Sequence, residues 1–177
     1  MFVTGASSRV LGIDPGLSRC GYGCIDAGPG GRGARPVAIG VVRTPVEAPV
    51  PERLAELQRE LRALIAELRP DAVAVERVFF QSNVRTAIGV AQASGLALAE
   101  AVNAGAAVAE YTPNQVKEAV AGWGGAEKEE VGRMVQVLLG LGAPLRPADA
   151  ADAAALALCH LAHAPRLARV AAAGGAQ

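Results

Sequence analysis

Apolar and polar positions follow two rhythms along this chain. Short apolar runs at residues 9–14, 20–27, 37–43, 72–76 and 107–111, bounded by Gly, Pro or Asp, predict five strands. Between them the period lengthens. Leu54, Leu57, Leu61, Leu64, Ile65 and Leu68 recur at helical spacing, with charges on the opposite face, and predict a helix over 51–68 that ends at Pro70-Asp71. A second helix is expected over 85–103, with Gly89, Ala93, Gly95 and Ala97 on its small side. Each interior glycine costs roughly 1 kcal/mol, so that side should pack closely, within the subunit or between subunits. Thr112-Pro113 reads as an N-cap with a first-turn proline and starts a helix through Val120. Gly122 to Gly125 break the chain, and helices over 127–139 and 149–163 follow. The first three strands suggest an antiparallel meander, and the helix–strand alternation after them predicts an α/β fold with a mixed sheet. A short extension (1–8), one domain (9–163) and a disordered tail (164–177) complete the expected layout.

The glycine-rich loop at 28–34 lacks Gly-x-x-x-x-Gly-Lys-Ser/Thr and is followed by a strand, so it reads as a hairpin loop, not a phosphate cradle. At 177 residues the chain suits one domain, and its 51% apolar content contains only six aromatic rings. No run approaches the roughly 18 apolar residues of a membrane span, and Met1 to Ser8 do not resemble a signal peptide. Cys20, Cys24 and Cys159 have no paired metal spacing and read as buried thiols. A soluble, reducing, cytoplasmic setting is expected. The net charge of zero argues mildly against a nucleic-acid partner, but a sum says nothing about where charges lie. Only two of the 17 basic residues are lysines, Lys117 and Lys128. Coding bias towards Arg, or a requirement for a compact point charge on phosphate, would each leave that pattern.

Four carboxylates change the picture. Asp14 closes the first apolar run, Glu76 closes the fourth, and Asp149 and Asp152 open the last helix. Any one of them suits a strand end or a helix cap. All four in such places, at semi-buried positions that disfavour charge, suggest a cage for divalent cations. Asp149 and Asp152 share a helical face in the first turn, where the dipole favours acids. Oxygen-only ligation suits Mg2+ or Mn2+, and two such ions about 4 Å apart would serve phosphodiester hydrolysis. No His, Cys or Ser arrangement competes, and His160 and His163 read as structural.

The segments Leu11-Gly-Ile-Asp-Pro-Gly-Leu-Ser18, Ala74-Val-Glu-Arg-Val-Phe-Phe80, Tyr111-Thr-Pro-Asn-Gln-Val-Lys117 and Asp149-Ala-Ala-Asp152-Ala resemble, in order, the RuvC family of Holliday junction resolvases. The resemblance spans about residues 9–163. It implies an RNase H-like fold, a five-stranded mixed sheet flanked by helices, a homodimer, and symmetric nicking of two strands of like polarity at a four-way DNA junction. It also implies cooperation with the RuvA–RuvB branch-migration complex. By this resemblance Asp14, Glu76, Asp149 and Asp152 hold two Mg2+ ions, with Mn2+ as a substitute, and Lys117 and Lys128 lie near the scissile phosphate. Phe79 matches an aromatic that stacks on junction bases; Phe80 reads equally as core. Asn83 and Arg85 fit backbone contacts. One departure is Ser94, in Ala91-Gln-Ala-Ser94-Gly, where many relatives would carry a basic residue; it would thin the basic surface.

Three other readings are weaker. A YqgF-type nuclease acting on RNA keeps the fold but fits Glu-x-Val-Phe-Phe and Asp-x-x-Asp less well. An actin-like ATPase shares Gly-Ile-Asp-Pro-Gly, but needs two related domains, and the motif occurs once. A junction binder that does not cut would not need four acids.

Overall fold

The computed structural model describes residues 9–29, 33–78 and 84–174. Its strands are β1 (Arg9–Asp14), β2 (Arg19–Ala27), β3 (Ala34–Arg43), β4 (Ala72–Glu76) and β5 (Ala107–Tyr111), and they form one sheet in the order β3-β2-β1-β4-β5. The helices are α1 (Val50–Leu68), α2 (Val84–Asn103), α3 (Pro113–Ala121), α4 (Lys128–Leu138) and α5 (Ala148–Gly174). β1, β2 and β3 pair antiparallel, whereas β1–β4 and β4–β5 pair parallel. This is the mixed five-stranded α/β sheet that the sequence predicts.

The central strands read as continuous apolar runs because both of their faces are covered. On one face Val10, Ala72, Ala74 and Tyr111 pack with residues of α3, α4 and α5. On the other, Leu11, Ile13, Val73 and Val75 meet Leu57, Leu61 and Ile65 of α1 and Ala93 and Ala97 of α2. Strand alternation puts Gly12 and Asp14 on the same face as Val10, and Glu76 on the same face as Ala72 and Ala74. Both acids therefore face α5. That helix lies almost on the sheet because glycines form the floor beneath it. A Cβ on Gly12 would come within 1.9 Å of the Ala153 carbonyl oxygen, one on Gly21 within 2.1 Å of the Asp149 oxygen, and one on Gly23 within 2.8 Å of the Ala154 backbone.

Three expectations need correction. In α2, Ala93 and Ala97 are fully buried, whereas Gly95 has open space around it, so within the subunit the close packing is made by alanines and does not use that glycine. Ser94 is 5% exposed and faces inward, so its lack of charge takes nothing from the surface. The last helix continues beyond His163 to Gly174, across Pro165, in a sequence with five alanines among residues 164–174 that favour helix. Thr112 caps α3 as expected, in a capping box completed by Gln115. The three cysteines are free and buried, and burial pushes their thiols up, to about 12 at Cys20 and Cys159 and about 11 at Cys24. Among the described residues no helix is long and apolar enough to cross a membrane.

Asp26 pins the far end of the meander. It accepts from Arg9 Nε at 2.7 Å and Nη2 at 3.0 Å, and from Arg35 Nη2 at 2.9 Å. The hydrogen bond from Arg9 is the main reason its carboxyl titrates below the ordinary range. The contribution to stability is thus complete above about pH 4, the usual carboxylate value, and fades as pH falls through the lower folded-state value. Asp26→Asn should cost about 2 kcal/mol at neutral pH and flatten the acid limb of the stability curve. Urea titrations between pH 3 and 7 would show both effects.

Candidate active site

Parallel pairing brings β1 and β4 to an end at the same edge of the sheet. Ile13 is in register with Val75, and Asp14 and Glu76 each follow by one residue. Edges where parallel strands end are natural sites for ligands. Across β1, Asp14 is in register with Gly21, and the Asp149 backbone sits over that glycine. Asp152 follows one helical turn later on the same face of α5. Acids from three elements therefore meet over one patch of sheet, and the missing side chain at Gly21 leaves room for them.

Their charges act on one another. Burial, followed by the charges of Asp152, Glu76 and Asp149, pushes the Asp14 carboxyl up to about 7, with Lys128 pulling it back. Burial and then Asp152 raise Glu76, again against Lys128. Two cations answer the other two acids. Lys128 Nζ lies 2.6 Å from Asp152 Oδ2, and that hydrogen bond raises the lysine. Arg19 Nη2 donates to Asp149 Oδ2. With two carboxylates engaged in this way, no three acid, His or Cys side chains among the described residues converge as a ready-made metal cage. The chemistry of the set nevertheless fits a hard divalent cation: four oxygen donors, excess negative charge, and partners that are displaceable at the surface. Asp149 and Asp152 would be released to it by Arg19 and Lys128.

The structure brings together Asp14, Glu76, Asp149, Asp152 and Lys128. It does not bring Lys117 to the acids in the same way. Lys117 is half-buried in the first turns of α3 and forms no ion pair among the described residues. Phe79, Phe80 and Asn83 lie outside the described residues; Arg85 lies in α2, but its side chain is not described. His160 and His163 have structural partners, Tyr111 Oη at 2.9 Å and the Cys159 carbonyl at 2.8 Å. Sequence reasoning missed Arg19. Its signal was a basic side chain five residues after Asp14, across a Pro-Gly turn.

The family model described as crossover junction endodeoxyribonuclease RuvC matches residues 10–160. A protein of that name from Parafrankia sp. (strain EAN1pec) is 53% identical over 165 residues, which are 93% of this chain and 92% of the relative. The solved structure described as Thermus thermophilus RuvC has a TM-score of 0.83 at 40% identity, covering 89% of this chain and 96% of that one. A second T. thermophilus RuvC structure, described as in complex with Holliday junction substrate, has a TM-score of 0.80 at 37% identity, covering 90% and 96%. Order of motifs, sheet topology and near-complete coverage on both sides agree: the chain belongs to the crossover junction endodeoxyribonuclease RuvC family.

Proposed function

We propose that this protein resolves four-way (Holliday) DNA junctions by hydrolysing one phosphodiester in each of two strands of like polarity, in homologous recombination and repair. The observation that carries this reading is that Asp14, Glu76, Asp149 and Asp152, from three elements, lie near enough where β1 and β4 end for their charges to act on one another. Those four side chains would hold two Mg2+ ions, or Mn2+ in their place. Bound there, the ions supply Lewis-acid stabilisation of the charge that builds on the phosphodiester and a lowered pKa for the attacking water.

The protein's own groups do the rest. Lys128 stands at Asp152 and balances the site's charge until the substrate phosphate arrives. Lys117, with Lys128, contacts the phosphates around the cut. Phe79 stacks on exposed junction bases, with Phe80 beside it, and Asn83 and Arg85 hold backbone phosphates. A homodimer places two such sites about a two-fold axis, which matches symmetric nicks in a two-fold junction. Cooperation with RuvA–RuvB and a cytoplasmic location belong to the same reading.

Competition binding tests it. A labelled four-way junction should stay bound in the presence of a large excess of linear duplex; release by equal amounts of duplex would refute junction recognition. Lys117→Met should slow cleavage roughly 100-fold, as loss of one charge-stabilising donor does elsewhere, with a smaller change in binding. A single-turnover rate equal to that of the unmodified protein would remove Lys117 from the site.

A further inference from the structure

We propose that a cleft beside the catalytic acids is a second phosphate subsite, which takes a backbone phosphate of the DNA strand flanking the cut bond. The proposal rests on the junction-cutting reading and adds to it where the strand is held. The cleft has a volume of about 580 Å³ and lies between the β1–β2 turn, the start of α1 and the first turns of α2. Leu17, Ser18, Arg19, Val50, Arg53 and Ile88 form most of its wall, and no acid among the described residues lines it. Two other clefts among the described residues are walled by Glu56, Glu60 and Glu67, and by Glu100. In a chain of zero net charge, this cleft holds Arg53, which has no carboxylate partner among the described residues, and Arg19, which is paired with Asp149.

Arg53 is the sharpest sign. It is 8% exposed, yet among the described residues no carboxylate pairs with it. Its Nε donates to Thr44 Oγ1 at 3.0 Å and its Nη2 to Ser18 Oγ at 2.6 Å, both neutral partners. A buried guanidinium without a counter-charge is costly. Its place in the first turn of α1, the positive end of the helix dipole, adds to that cost. An anion in the cleft relieves both. Arg19 lines the cleft, half-exposed, with one nitrogen on Asp149, so a single guanidinium touches both the cleft and one of the four acids.

The wall is also built in advance. Thr44 Oγ1 donates to the Leu17 carbonyl at 2.6 Å and Thr44 N to the Ser18 carbonyl at 3.3 Å, which fixes the turn that presents Ser18 and Arg19. Apolar side chains at the rim, Val50 and Ile88, are 43% and 51% exposed. They offer a deoxyribose a surface while the guanidinium groups take the phosphate. A phosphodiester monoanion with an apolar sugar on either side matches this arrangement.

Val50 gives a test that leaves the network untouched, because it is exposed and an acid is favoured in the first turn of a helix. Val50→Glu and Val50→Lys are made in an Asp14→Asn background, which holds junctions without cutting them. Dissociation constants are measured in Mg2+ by fluorescence anisotropy of a labelled four-way junction at several salt concentrations. Val50→Glu should weaken binding about tenfold and Val50→Lys should tighten it. Arg19→Gln should lower the slope of log K against log salt by about one, as loss of one phosphate contact does. Dissociation constants for both Val50 variants within twofold of the parent, with its preference for junctions over duplex intact, would overturn the subsite alone. A parent that does not prefer junctions would overturn the functional reading and the subsite with it.

Discussion

Replacing Asp14 by Asn should abolish junction cleavage, with a loss of roughly 10³-fold or more, while leaving the fold and junction binding in place. The amide has nearly the same shape as the carboxylate, so packing at the end of β1 is kept. What is lost is the charge on which the site converges. Asp14 is where burial and the charges of Asp152, Glu76 and Asp149 add together, and it is the acid for which a bound cation would do most. Each factor of ten in rate corresponds to about 1.4 kcal/mol of transition-state stabilisation, so losing a direct cation ligand readily accounts for three such factors. The same crowding predicts an opposite effect on stability. Without cations the ionised carboxylate is disfavoured in the fold, so Asp14→Asn should melt higher than the unmodified protein in EDTA. Adding Mg2+ should raise the melting point of the unmodified protein and barely move the variant. A variant that cuts at a normal rate, or that melts lower in EDTA, would mean that Asp14 is a strand-end residue only.

Gly12→Ala should be the most damaging added methyl group among the described glycines. Gly12 lies in the middle of β1 beneath α5, where a Cβ would meet the Ala153 carbonyl oxygen at 1.9 Å and the Ala157 nitrogen at 2.8 Å. Backbone on both sides cannot swing away as a side chain can, so the helix must lift. Overpacking in cores costs 1–3 kcal/mol and occasionally more; a contact this close belongs at about 3 kcal/mol or above. The functional loss should exceed what that instability explains, because the helix that lifts carries Asp149 and Asp152. Gly95→Ala is the control: nothing lies within 4 Å of its site, and it should gain about 1 kcal/mol from helix propensity. Urea unfolding measures both, and a Gly12→Ala protein within 1 kcal/mol of its parent would contradict the close seat of α5 on the sheet.

The five strands and the first four helices were legible because each is a short apolar run or a 3.6-residue repeat set off by turn-forming or charged residues. The four acids were legible for a related reason: a carboxylate that ends an apolar run stands out against its neighbours. What was hidden depends on pairing. Nothing in the spacing of Gly12, Gly21 and Gly23 says that they lie side by side under one helix until β1 and β2 pair in register. Arg19 became visible only when the fold set β2 beside the start of α5. Ser94 and Gly95 are adjacent in sequence yet about 100° apart around α2, one buried and one facing open space, and that helix's small residues alone did not reveal which side packs. The continuation of α5 past His163 was missed because Pro165 and two arginines interrupt the apolar pattern there, while Ala-rich propensity persists.

Mapping the cuts made in a synthetic four-way junction tests the central claim most directly, since it reads substrate, metal dependence and symmetry in one experiment. The account predicts that the protein, supplied with Mg2+, nicks two strands of like polarity at paired positions and leaves linear duplex largely intact, and that EDTA stops the reaction. Unpaired cuts, equal cutting of linear duplex, preference for single-stranded RNA, or cleavage that persists in EDTA would contradict it.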